Sequence, residues 1–407
     1  MNTGEKDKIR ILFIAEAVSL AHVARPLALA LALDPARHAV SFAADPRYNA
    51  LLGDPPFPLH RIDSIDGNRF STALARGTPI YDLPTLRRYV GDDLDLIAAV
   101  KPHLVVGDFR LSLTASARVA GVPYFSITNS YWSPYARQRF PLPAHPLAQL
   151  LGVAAAQALF RLARPVVFAL HAWPLNRLRR EYGLPALGHD LRRAYTDADH
   201  TLYADVPELL NLPALPAHHH FLGPVLWSPS VPLPEWWEKL PGDIPLIYIT
   251  LGSSGEHRAL PLIFDALADL PIAAMVAAAG ATVRNPPDNV HAASYLPGQA
   301  AAARASVVIC NGGSPTSQQA LAAGVPVLGI ASNLDQFLNM RAIEARGAGL
   351  CLRADRAAPA AIRHAVMRLL GNPTFRESAR KFAKIFSHYD AGRRFSELAA
   401  AFAAPVA

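Results

Sequence analysis

Strand-like and helix-like runs alternate along this chain in two separate series, parted by a segment too rich in proline and tryptophan to belong to either. In the first series "IRILFIAEA" and "HAVSFAAD" read as buried strands around the helical "HVARPLALALAL", and "HLVVGDF" and "VPYFSITNS" follow with "LSLTASARVAG" between them. After "GPVLWSPSVPLPEWWEKLPGDIP" the alternation restarts with "LIYITLGSSG" and continues through "IAAMVAAAG", "VVICNGG" and "VPVLGIA". Near-continuous apolar strands separated by helices are the pattern of parallel sheets covered on both faces. With 407 residues the chain exceeds one ordinary core and suits two domains. The expectation is an α/β protein of two Rossmann-like domains facing a central cleft: residues 1–225, an interdomain linker at 226–244, residues 245–385, and a terminal helix at 386–407 packing back on the first domain. Ligands of such sheets bind beyond the carboxyl ends of the strands.

Charge and cysteine usage narrow the function classes. A formal charge of +7 and a pI near 9.5 favour anionic partners such as phosphates or anionic headgroups. The basic residues are scattered without an aromatic platform, so specific nucleic-acid binding is not expected. Cys310 and Cys351 have no metal-ligand spacing, which fits a reducing cytoplasm and implies neither disulfide nor zinc. The apolar run from Ile9 to Leu33 is broken by Glu16, His22 and Arg25, unlike a signal peptide or a span. A second apolar region, Leu147 to Trp173, is broken by Arg161 and Arg164 and ends in "NRLRREYG", which suits an amphipathic surface.

The loop "NGGSPTS" carries the clearest chemical signal. Ser314 suits an N-cap, Pro315 the first helical turn and Gly324 the helix end, which sets Gly312 and Gly313 between a strand and a helix N-terminus. Backbone amides there can approach an anion, with the hydroxyls of Thr316 and Ser317 as extra donors. A tight turn that uses glycine for geometry alone is the other reading of the loop by itself.

Residues 295 to 340 resemble the donor-binding signature of GT-B glycosyltransferases of the UDP-glycosyltransferase and macrolide-glycosyltransferase type. That signature runs from an aromatic-x-Pro through His-x-Gly-x-x-Ser/Thr and "AGVP" to an acid-Gln pair and an asparagine. Tyr295-Leu296-Pro297, Asn311-Gly312-Gly313, Thr316, Ala323-Gly324-Val325-Pro326, Asp335-Gln336 and Asn339 match it without a gap. The resemblance implies a GT-B fold and a nucleotide-diphosphate sugar of UDP or dTDP type as co-substrate, with no other cofactor and no metal. It implies that Gly313 and Thr316 lie against the diphosphate, that Tyr295 stacks on the base, and that Asp335 and Gln336 bind the sugar hydroxyls; capping of the next helix is the other use of that pair. "GSSG" places Ser253 among the donor-site residues. Four departures stand in the same pocket: Asn311 replaces a histidine, Tyr295 a tryptophan, Gly298 a glutamine, with Gln299 displaced by one, and Gln319 the ribose-binding glutamate.

Inverting transfer in this family needs a base, and the resemblance puts His22 in that role with Asp108 of "HLVVGDF" orienting it. Tyr131, Trp132, Tyr135 and Phe140 follow a strand and are candidates to line an acceptor pocket. The acceptor expected is a hydrophobic small molecule or a lipid, reached by a cytoplasmic protein in peripheral contact with the inner face of the membrane. A sugar-nucleotide epimerase of GT-B architecture and a non-catalytic helper of the same fold stay open as other readings. Asp93-Leu94-Asp95 and Asp197-Ala198-Asp199 read as solvated acids, and His218-His219-His220 as loop. No G-x-S-x-G elbow, P-loop or G-x-G-x-x-G follows a strand, so hydrolase, kinase and dehydrogenase chemistry lacks its loop.

Overall fold

The computed structural model describes residues 8–252, 259–280, 283 and 286–403. Two parallel sheets organise it. The first contains β1 (Ile9–Ala15), β2 (His38–Ala44), β3 (Leu59–Arg61), β4 (Leu104–Asp108), β5 (Tyr124–Thr128), β6 (His200–Tyr203) and β7 (His219–Phe221), in the order β3-β2-β1-β4-β5-β6-β7. The second contains β8 (Leu246–Thr250), β9 (Ala273–Ala277), β10 (Val290–Ala293), β11 (Val307–Cys310), β12 (Val327–Ala331) and β13 (Gly349–Arg353), in the order β10-β9-β8-β11-β12-β13. Each sheet starts at a central strand, winds outward to one edge, and crosses back to continue on the other side. The reversal falls between β1 and β4 in one sheet and between β8 and β11 in the other. These switch points leave a crevice at the carboxyl strand ends.

The strand residues explain the sheets. Leu12, Ile14 and Val105 are fully buried and pack on Leu113 and Ala117 of the helix Leu113–Val119. In the second sheet Ile247, Ile249, Val276, Val307, Ile309 and Leu328 form the same kind of core with Ile263 and Val366 from covering helices. Each such side chain contributes about 1.5–3 kcal/mol of burial free energy.

The chain divides into two compact units. One holds residues 1–138, 160–225 and 389–407, and the other holds 139–159 and 226–388. In the first, the helix Ala391–Ala403 sets Phe395 against Phe13, with ring centroids 5.6 Å apart, and Phe402 edge-on to Phe125 at 5.3 Å. Residues 139–159, which the sequence puts in the first domain, belong to the second unit. Arg353 donates to the carbonyls of Leu142 and Pro143 at 2.7 and 3.0 Å, Arg356 to that of Ala148 at 3.0 Å, and the Ala144 amide to Ser332 at 2.7 Å. Hydrogen bonds to partners some 200 residues away leave no periodicity in the sequence.

Two other expectations are corrected. Asp93 is fully buried, accepting from Arg110 at 3.0 Å and from the Ser112 and Ser116 hydroxyls at 2.6 and 3.0 Å, while Asp197 pairs with Arg118 and Arg179. The triple-histidine stretch contributes to the strand β7 rather than a loop: His219 bonds the Tyr203 hydroxyl at 2.8 Å, and His220 bonds His200 at 2.7 Å. Both cysteines are free, and burial pushes each thiol up to about 12.

Candidate active site

In the first unit the candidate base lies at the switch point. β1 ends at Ala15, the chain turns through Ser19 as N-cap, and His22 sits on the first turn of the helix Leu20–Leu31. β4 ends at Asp108, which is fully buried. His22 Nδ1 and Asp108 Oδ1 are 2.7 Å apart. The His22 side chain keeps 21% of its surface exposed against 1% for Asp108, so the pair is open only at the imidazole.

The next residue, Phe109, has φ of 59°, in the left-handed region that a bulky side chain rarely enters. This turn lays its ring parallel to His22, with centroids 4.8 Å apart. Phe70, Tyr81 and Tyr195 pack around Phe109, and Trp132 meets Tyr195 edge-on at 4.9 Å. Of the four aromatic candidates, Tyr131 and Trp132 join this wall. Tyr135 instead packs on His219 at 5.4 Å, and Phe140 lies in the other unit.

Behind Phe109, Arg110 enters the core and pairs with Glu16 and Asp93 at 3.0 Å each. Tyr89 donates to Glu16 at 2.9 Å and accepts the Ile65 amide. Burial raises the Glu16 carboxyl, opposed by the Arg110 charge.

Sequence reasoning missed Arg25, which contacts the candidate pair directly. Its Nε and Nη2 donate to Asp108 Oδ2 and Oδ1, both at 2.8 Å, and Nη1 donates to Asn129 Oδ1 at 2.7 Å. A lone cation on an otherwise apolar helix stretch was the signal available.

In the second unit β11 leads into the loop. Gly313, not Ser314, is the N-cap of the helix Ser314–Ala322, so the helix begins one residue earlier than the loop's composition suggests. Gly312 has φ of 85°, and a Cβ there would stand 2.8 Å from Met340 Cγ. Asn311 folds onto its own loop, accepting the Gly313 amide at 3.0 Å. Thr316 is half-buried on the first turn. Ser317 is turned inward: it is fully buried and donates to the Gly313 or Ser314 carbonyl, at 3.0 and 3.1 Å, while accepting from Asn339. It shapes the loop and does not extend it as a donor.

Gln319 is likewise committed. Its Nε2 donates to the Trp227 carbonyl at 2.6 Å, and its Oε1 fills the space beside Gly298, 2.5 Å from where a Cβ would be. The two departures from the family signature thus fit each other. Gln336 is buried and closes a capping box with Asn333, its Oε1 also accepting the Ser332 amide at 2.8 Å. Asp335 stands half-buried on the first turn of the same helix, Leu334–Ala345. Tyr295 lies with its hydroxyl against Gly280, 3.3 Å from a would-be Cβ. Ser253 lies outside the described residues. Among the described residues there is no cluster of three or more metal-ligating side chains.

Residues 262–387 match the family described as "Erythromycin biosynthesis protein CIII-like, C-terminal domain". The chain is 53% identical over 384 residues to the "PGL/p-HBAD biosynthesis glycosyltransferase" of Mycobacterium tuberculosis, covering 94% of this chain and 90% of that protein. It is 53% identical over 378 residues to the "PGL/p-HBAD biosynthesis rhamnosyltransferase" of Mycobacterium bovis, covering 93% and 84%. Among solved structures, spinosyn forosaminyltransferase SpnP shares the fold with a TM-score of 0.69 at 20% identity, over 97% of this chain and all of that one. Spinosyn rhamnosyltransferase SpnG, solved with thymidine diphosphate, gives 0.68 at 18% identity over 96% and 99%.

Proposed function

For a chain that belongs to the PGL/p-HBAD biosynthesis glycosyltransferases, and so to the GT-B glycosyltransferases, we propose inverting, metal-independent transfer of a sugar from a dTDP or UDP sugar to a hydroxyl of an apolar, lipid-like acceptor. The acceptor O–H gives its proton to His22 Nε2 as its oxygen attacks the anomeric carbon. The bond from that carbon to the diphosphate oxygen breaks on the opposite face, and the nucleoside diphosphate leaves with the electron pair. Asp108 accepts the Nδ1 proton and stabilises the imidazolium that forms. The observation that carries this reading is the 2.7 Å His22–Asp108 contact at the switch point of the first sheet.

The loop of Asn311 to Thr316 is the proposed diphosphate site, where helix N-terminal amides meet the negative charge without a cation. Tyr295 would stack on the base and Asp335 bind the sugar. A rhamnose-type deoxyhexose is the sugar we infer, supported by the relative named a rhamnosyltransferase. The Phe109, Tyr195 and Trp132 wall beside His22 favours an acceptor carrying a ring.

Peripheral contact with the inner face of a membrane belongs to the same proposal. The helix Val153–Glu181 is long and apolar enough to span a bilayer by length and composition, and most of its apolar stretch is not buried. Leu159, Leu162, Val166, Leu170 and Trp173 are exposed at helical spacing, beside Arg161 and Arg164. No aspartate or glutamate occurs between Asp108 and Glu181. Such a face suits a helix lying in the plane of an anionic surface.

His22→Ala tests the core of the proposal. It is expected to lower kcat by about 10²–10⁴-fold while dTDP affinity, read by calorimetry, stays within about twofold. Retained turnover would discard the base.

A further inference from the structure

We propose that Arg25 is the positioning residue of the base, fixing the plane of Asp108 and thereby the tautomer of His22. The inference rests on the reading of His22 as base and asks what holds that base in a working form. Arg25 is only 5% exposed, and its guanidinium meets both oxygens of Asp108 at 2.8 Å. A bidentate fork fixes the orientation of a carboxylate as a single point charge cannot. The third nitrogen, Nη1, is anchored by Asn129 just after β5. Asn129 Nδ2 lies 3.4 Å from Asp205 Oδ2, which also accepts the Ser130 amide at 2.8 Å. Asp108 at the end of β4 and Asn129 beyond β5 thus hold the cation directly, and Asp205 beyond β6 holds Asn129.

The consequence for His22 follows from donor and acceptor capacity. Arg25 Nη2 stands 3.1 Å from His22 Nδ1 and 2.8 Å from Asp108 Oδ1. A guanidinium can only donate. If Nη2 donated to Nδ1, the ring proton would reside on Nε2 and the imidazole could not accept a proton there. The fork holds Asp108 ionised and turned so that Oδ1 lies 2.7 Å from Nδ1, and because a carboxylate oxygen can only accept, Nδ1 keeps its hydrogen and donates it there, leaving the Nε2 lone pair for the acceptor hydroxyl. Lysine at position 25 would keep the charge and lose the fork.

The test uses the full chain with Arg25→Lys, chosen because it preserves the buried charge pair. ¹⁵N NMR of histidine-labelled protein reads the tautomer of His22 without any substrate. The native protein is expected to show Nδ1–H, and Arg25→Lys a mixture of tautomers. With dTDP-rhamnose and 4-octylphenol as probes, Arg25→Lys is expected to lose about tenfold or more in kcat with both KM values within about twofold. In an Asp108→Asn background the same change is expected to add no further loss, since the two act through one contact. A native-like tautomer in Arg25→Lys, or losses that multiply in the double variant, would overturn the role of Arg25. Turnover surviving His22→Ala would instead overturn the base itself, so the two failures are distinguishable.

Discussion

At the scale of single residues, the account depends on polar groups held where water is absent. His22 and Asp108 were legible because each stands in a recognisable strand-end context. Arg25 and Asn129 were not, since their bond links positions 104 residues apart. Phe109 was invisible for another reason: no sequence pattern signals a phenylalanine at φ of 59°. Asp205, which anchors this network, carries a prediction of its own. Burial raises its carboxyl to about 6, partly offset by hydrogen bonds from Ser130 and Asn129. The folded protein therefore holds a proton that the unfolded chain, with a carboxyl near 3.8, gives up earlier. This contribution to stability is fully present below pH 3.8 and is lost as pH rises through about 6. Asp205→Asn mimics the protonated form, so its stability relative to native should rise across that window by roughly 3 kcal/mol or less, read by denaturant unfolding at pH 4.5 and pH 8. A difference that does not change with pH would show that Asp205 titrates normally.

At the scale of elements, the two alternating series were readable because buried parallel strands must be apolar along their whole length. What escaped were features set by tertiary partners: the transfer of 139–159 to the second unit, the strand formed by His219–Phe221, and the burial of Asp93 beneath Arg110. The glycine loop shows the same division. Its glycines were recognised, but the inward turn of Ser317 and the fit of Gln319 against Gly298 depend on neighbours that spacing does not reveal. The helix Val153–Glu181 was visible as an amphipathic surface, though not as one continuous element with Pro165 and Pro174 inside it. Its exposed stripe predicts binding to phosphatidylglycerol vesicles and not to phosphatidylcholine vesicles at low salt. Leu162→Glu with Val166→Glu should abolish flotation with the vesicles while leaving turnover of soluble probes unchanged. Binding that survives the double substitution would remove this helix from the membrane reading.

At the scale of the molecule, the chain carries two sheets of the same winding, each with a candidate site at its point of reversal. One presents a base on a buried carboxylate, and the other presents a glycine loop at a helix N-terminus. The family likeness makes this chain a glycosyltransferase, and the solved neighbours share its fold. The nucleotide-sugar chemistry proposed for it depends on whether that loop, with Asn311 in place of histidine, still holds a diphosphate. Calorimetric titration of the full chain with dTDP and with UDP, in the presence of EDTA, decides this most directly. Micromolar binding of one nucleotide, weakened by Gly312→Ala, is the result the account predicts. Absence of heat with both would contradict it.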